Sequence, residues 1–111
     1  MNSTQLRSEF TTFKPDGYLS AANSSELFKS LTAIVKSSPP ALVVDMEAVE
    51  FMDSAGLMVL IKAFRLAESL GRRFAICSLA PSVRIVFELT QLDKAFEIFE
   101  DRDAFQAAIE K

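Results

Sequence analysis

The stretch FMDSAGLMVL, residues 51–60, changes character in mid-run. Phe51 and Met52 close an apolar approach that reads as a buried strand, and from Ala55 onward apolar residues recur at helical spacing. Between the two halves stand Asp53 and Ser54, the only polar side chains of the stretch. If the helix begins near Ala55, either one can accept a hydrogen bond from a first-turn N–H that has no partner inside the helix. Strands that run into helices build α/β domains, and in such domains ligands and modifications gather at the carboxyl ends of strands.

The rest of the chain extends this unit in both directions. Upstream, ALVVDM (41–46) is short, rich in β-branched residues and preceded by Pro39 and Pro40, as expected of a central strand covered on both faces. A connection over 47–51 then leads to the junction. Residues 55–70 predict a helix with Leu57, Leu60, Ile61, Phe64 and Leu70 inward and Lys62, Arg65, Glu68 and Ser69 outward, stopped by a left-handed Gly71. FAICSL (74–79) predicts another strand, and Ala80-Pro81-Ser82 opens a shorter helix with Val83, Val86, Phe87 and Leu89 or Leu92 inward. A last strand over 95–99 precedes Asp101, the expected cap of a terminal helix carrying Phe105, Ala108 and Ile109. At the amino end, EFTTFKPDGYLS (9–20) predicts two short strands about a Lys-Pro-Asp-Gly turn. Asn23, with Glu26 three residues on, resembles a capping box ahead of a helix carrying Leu27, Phe28, Leu31, Ile34 and Val35. This alternation predicts an α/β fold in one domain spanning 1–111.

Composition narrows what such a domain can do. In 111 residues there is room for one hydrophobic core, and 50% hydrophobic with 24% charged residues is the balance of a globular chain. A net charge of −3 offers no basic footprint for nucleic acid or anionic lipid, and no window approaches the ~20 apolar residues of a membrane-spanning helix. Neither nucleic acid nor membrane is expected as a partner, and MNSTQLRSEF, without a basic region ahead of an apolar core, points to the cytoplasm.

The absence of histidine removes the commonest general base and every Ser/His or Cys/His pairing. Cys77, the single cysteine, sits in an alternating apolar run and reads as buried and inert. Gly17, Gly56 and Gly71 are too far apart to write a phosphate-cradling loop. Asp16, Asp45, Glu47, Glu50 and Asp53 are scattered, and a pair of them could hold magnesium only with help from a bound phosphate. No metal, cofactor or enzymatic activity is expected. The acidic run Glu97, Glu100, Asp101 and Asp103 suits a helix start, while Arg72, Arg73 and Arg84 read as solvated surface.

A serine at a strand-to-helix junction is exposed and pre-oriented. A phosphate on Ser54 would add about two negative charges beside Asp53, changing the surface while leaving the fold intact. Such a modification can break a docking interface by like-charge repulsion.

Phe51-Met52-Asp53-Ser54-Ala55-Gly56-Leu57 resembles the Asp-Ser-Ser/Thr/Ala-Gly-Leu signature of the STAS domain, the family of anti-sigma factor antagonists. Gly17-Tyr18-Leu19 with a capped helix after it, the ALVVDM strand, the Gly71-Arg72-Arg73 turn, the Pro81-Ser82-Val83 helix start and the 92–99 segment follow that family's order. The likeness thus covers nearly the whole chain. It implies a mixed four- to five-stranded sheet with helices mainly on one face. It also implies that Ser54 is phosphorylated and that Asp53, Ser54, Ala55 and Gly56 bind a partner. Ser20 and Asn23, where many members carry Asp and Thr, fall beside the switch serine in the family. The implied partner is a serine kinase of the histidine-kinase-like ATPase type that doubles as an anti-sigma factor and binds only the unphosphorylated form. A metal-dependent serine phosphatase would reset the switch. The alternative is a constitutive interaction module, such as a subunit of a lipid-transport complex or an accessory domain of an anion transporter, in which Ser54 only caps the helix.

Overall fold

A computed structural model describes residues 10–37 and 40–110. The elements along the chain are β1 (Thr11–Phe13), β2 (Gly17–Leu19), α1 (Ser24–Lys36), β3 (Ala41–Asp45), β4 (Val49–Met52), α2 (Ser54–Ser69), β5 (Arg73–Cys77), α3 (Pro81–Leu89), β6 (Glu97–Phe99) and α4 (Arg102–Ile109). The α/β class expected from the alternation is the one observed. The strands form a four-stranded sheet in the order β1-β3-β5-β6 and a two-stranded sheet of β2 and β4. Every pairing among the described residues is parallel, so within them the sheet expected to be mixed has no antiparallel neighbour.

The central strand shows why its sequence lacks alternation. Leu42 and Val44 point into the larger core with Leu27, Leu31 and Val35 of α1, Leu60 and Ala63 of α2, and Val83 and Phe87 of α3. Ala41 and Val43 point the other way, joining Ala75 and Cys77 beneath Phe105 and Ile109 of α4. With three helices on one face and one on the other, β3 has no wet side, and all five of its residues are buried. Cys77 is buried as expected, and loss of solvation pushes its thiol pKa up.

The two sheets share a pair of chain segments. β1 lies beside β3 with Thr11 opposite Leu42, and beyond a break β2 lies beside β4 with Gly17 opposite Val49. Pro15, which has no N–H to donate, falls in the first segment's break, and Gly17 follows at φ 72. The expected connection over 47–51 is therefore largely strand. Its residues escaped the sequence pattern because only Val49 and Met52 of β4 are buried, whereas Glu50 and Phe51 between them face solvent. Phe51, read as part of a buried approach, is 49% exposed.

Other differences are local. Phe28 and Leu70, expected inward, are exposed, and of the two candidates closing α3's inner face Leu92 packs against the core while Leu89 is 79% exposed. Ala108 is half-buried beside the fully packed Phe105 and Ile109. Gly71 terminates α2 at φ 72, the left-handed stop the sequence predicts. The acidic run is divided by role: Asp101 caps α4 through an oxygen 2.8 Å from Ala104 N, while Glu97 pairs with Arg73 and ties β6 to β5. Pro39 lies outside the described residues.

Candidate functional site

One residue separates β4 from α2, and it holds the junction together. The Asp53 N–H donates to Leu19 O at 3.0 Å, carrying the β2–β4 ladder up to the helix start. Its backbone is extended, as an N-cap requires, and its Oδ1 accepts from Ala55 N at 2.9 Å and Gly56 N at 3.1 Å. The second oxygen, Oδ2, accepts from Ala21 N at 3.3 Å. Asp53 thus caps α2 and also ties the loop before α1 to it. The Gly56 N–H holds the carboxyl below the usual aspartate range; Ala21 and Ala55 act in the same direction and partial desolvation opposes them.

Because Asp53 supplies the cap, Ser54 does not have to. Ser54 is the first residue of α2, its side chain is exposed, and its hydroxyl makes no hydrogen bond among the described residues. The sequence left open which of the two residues caps the helix; the structure divides them into one that caps and one that is free.

Gly56 is buried, and a Cβ there would lie 2.4 Å from Leu19 O. The glycine lets the first turn of α2 sit against the end of β2, which fixes where Ser54 emerges.

Ser20 and Asn23 do come beside the junction, through the Ala21 N–H that Asp53 receives. The expected capping box at α1 is not formed: Asn23 makes no side-chain cap bond. Its Oδ1 accepts from Ser20 N at 2.9 Å and its Nδ2 donates to Tyr18 O at 2.8 Å, so the side chain folds back and shapes the 20–23 loop. Ser20 Oγ accepts from Ala22 N within the same loop.

Two apolar features next to Ser54 were not singled out from the sequence. Ala55, half-buried, opens onto a groove between α1 and α2 walled by Phe28, Met58 and Val59, with Lys62 at its side. On the outer surface of the small sheet, Tyr18 and Phe51 pair with ring centroids 5.9 Å apart and remain 60% and 49% exposed. Their register, Tyr18 opposite Phe51, places both on the face away from Leu19 and Met52. Knowing that β2 pairs with β4 would have revealed it. Among the described residues no group of His, Cys, Asp and Glu side chains could hold a metal ion, and no helix is long and apolar enough to cross a membrane.

Comparison with known proteins agrees with this geometry. The STAS domain family model matches residues 3–104. The anti-sigma-F factor antagonist RsfB of Mycobacterium tuberculosis is 31% identical over 85 residues, 75% of this chain and 67% of that protein. An anti-sigma factor antagonist from Mycobacterium paratuberculosis has a crystal structure similar at TM-score 0.81 and 32% identity, over 90% of this chain and 85% of that one. SpoIIAA of Bacillus in its phosphorylated form shares the fold at TM-score 0.67 and 18% identity, over 88% of this chain and 90% of that one. With a match that runs across almost its whole length, the chain belongs to the STAS domain family.

Proposed function

We propose that this protein is an anti-sigma factor antagonist whose binding is switched off by phosphorylation of Ser54. The observation that carries the reading is the division of roles at the junction: Asp53 occupies the capping position with both carboxylate oxygens engaged, and the Ser54 hydroxyl stands exposed with no hydrogen bond among the described residues. A constitutive module in which Ser54 serves only as a cap loses its motive, because the cap is Asp53.

In this reading the partner is a serine kinase of the histidine-kinase-like ATPase type that is itself the anti-sigma factor. Ser54 Oγ attacks the γ-phosphorus of ATP, the bond to ADP breaks, and the hydroxyl proton passes to a base. Asp53 is poorly suited to be that base, since its oxygens already accept three N–H bonds and its pKa is lowered. The kinase therefore supplies the base, and the antagonist contributes a positioned hydroxyl and a docking surface. It is substrate and ligand, not enzyme.

The unphosphorylated form offers the apolar groove and the exposed Tyr18–Phe51 pair around a neutral serine. Phosphorylation places about two negative charges beside Asp53, and an interface fitted to the neutral surface loses affinity by desolvation and repulsion. A metal-dependent serine phosphatase restores the first state. The test is binding of two variants to the host's kinases of this type: Ser54→Ala is expected to bind within about twofold of wild type and Ser54→Glu at least about tenfold more weakly. Equal binding by the two variants would overturn the switch.

A further inference from the structure

Helices α1 and α2 differ in charge from the rest of the molecule. They carry four cations, Lys29, Lys36, Lys62 and Arg65, against two carboxylates, Glu26 and Glu68, in a chain whose net charge is −3. All four cations are exposed, and none pairs with a carboxylate among the described residues. Helical spacing aligns them. Ser54, Met58, Lys62 and Arg65, at steps of four, four and three residues, form one exposed stripe along α2 that starts at Ser54. On α1, Ser25 and Lys29 are one turn apart and exposed, with Lys36 two turns beyond.

The groove between the two helices, about 290 Å³, joins these stripes. Its walls are apolar, from Phe28 of α1 and Ala55, Met58 and Val59 of α2, and no carboxylate lines it. Phe28 and Met58 remain 37% and 47% exposed, and the Lys62 ammonium rests 5.8 Å from the centroid of the Phe28 ring. An apolar recess under a basic rim is the complement of an amphipathic helix with an acidic polar side: its apolar side chains enter the recess and its carboxylates meet the rim. An anionic bilayer fits less well, because the apolar groups here are recessed between two helices, whereas insertion into lipid needs them to protrude.

We propose that the groove between α1 and α2 receives an acidic amphipathic helix of the kinase partner, with apolar side chains against Phe28 and Met58 and carboxylates toward Lys29, Lys62 and Arg65. This docking site rests on the reading of the kinase as partner. A phosphate on Ser54 then stands at the head of the α2 stripe, and its roughly two negative charges oppose the positive field that guides the acidic helix in.

The test is stopped-flow association of the full chain with the host kinase at low and high salt. Wild type is expected to associate more slowly as salt rises. Lys29→Glu and Arg65→Glu are each expected to slow association about fivefold or more at low salt. Lys94→Glu, the same charge change at an exposed position outside α1 and α2, should alter it by less than about twofold. Met58→Ser should leave the association rate and raise the dissociation rate about fivefold. All four positions are exposed, so these variants are expected to fold. Wild-type rates in Lys29→Glu and Arg65→Glu, or equal slowing by Lys94→Glu, would overturn the docking site, and so would sedimentation with phosphatidylserine vesicles that Lys29→Glu and Arg65→Glu abolish. Wild-type rates in those two variants beside weakened binding of Ser54→Glu would remove the docking site and keep the switch. Slowed variants beside an unaffected Ser54→Glu would do the reverse, and a kinase that binds no form of the protein would remove both.

Discussion

Two helices begin with an extended aspartate, and they are held very differently. At α4, Asp101 accepts one N–H, that of Ala104, within its own helix. At α2, Asp53 accepts two from its own helix and one from the 20–23 loop, while its backbone continues the ladder with β2 and Gly56 presses the first turn against Leu19. The α4 start is a local cap; the α2 start is bound to two other segments. A residue following a local cap can fray with the helix end, whereas Ser54 is presented at a fixed place although its own side chain is bonded to nothing described.

The comparison breaks most sharply at Gly56. Gly56→Ala drives a Cβ into the Leu19 carbonyl, and a loss of about 3 kcal/mol is expected in urea unfolding. Gly71→Ala meets open space and only the left-handed backbone penalty, about 1 kcal/mol. Equal losses at the two glycines would mean that the close approach to β2 carries no weight.

Removing the caps sharpens the contrast. Asp101→Ala is expected to cost about 1 kcal/mol, the usual value for one N-cap. Asp53→Ala should cost more, because the link to Ala21 N goes with the cap, and amide exchange should rise in the 20–23 loop as well as in α2. Exchange confined to α2 would show that the loop is held by other contacts. The pH dependence follows from the lowered Asp53 pKa. Its contribution is present above the unfolded aspartate value, near 3.8, and is lost as pH falls through the lower folded value. Asp53→Asn should flatten this acid limb of the stability profile.

The smallest effect is expected at Ser54 itself. Ser54→Ala removes an exposed hydroxyl that has no partner among the described residues, so stability should change by less than about 0.5 kcal/mol. A loss as large as that at Asp101 would return the capping role to Ser54.

The strand and helix alternation was legible because β3, α2 and β5 carry long apolar patterns whose period or continuity depends only on which faces are covered. The junction was legible in part: an aspartate and a serine between a strand and a helix announce a cap and a hydroxyl, but their division of labour is decided by Ala21 and Leu19, more than thirty residues upstream. β4 was missed because its two middle residues face solvent and its strand conformation comes from pairing with β2. Asn23 was read as a cap because the sequence of a capping box is also that of a loop whose side chain bonds backward. The tight fit at Gly56 was not legible, because the Leu19 carbonyl it accommodates belongs to a segment more than thirty residues upstream.

In the proposed function the exposed Ser54 hydroxyl at the start of α2 is the switch. Its most direct test is to incubate wild type and Ser54→Ala with ATP and the host kinase, measure intact mass, and assay the purified phosphorylated form for return binding to that kinase. One phosphoryl group is expected on wild type, none on Ser54→Ala, with loss of kinase binding by the phosphorylated protein. Equal phosphorylation of Ser54→Ala, or a phosphorylated protein that binds as tightly as the unmodified one, would contradict it.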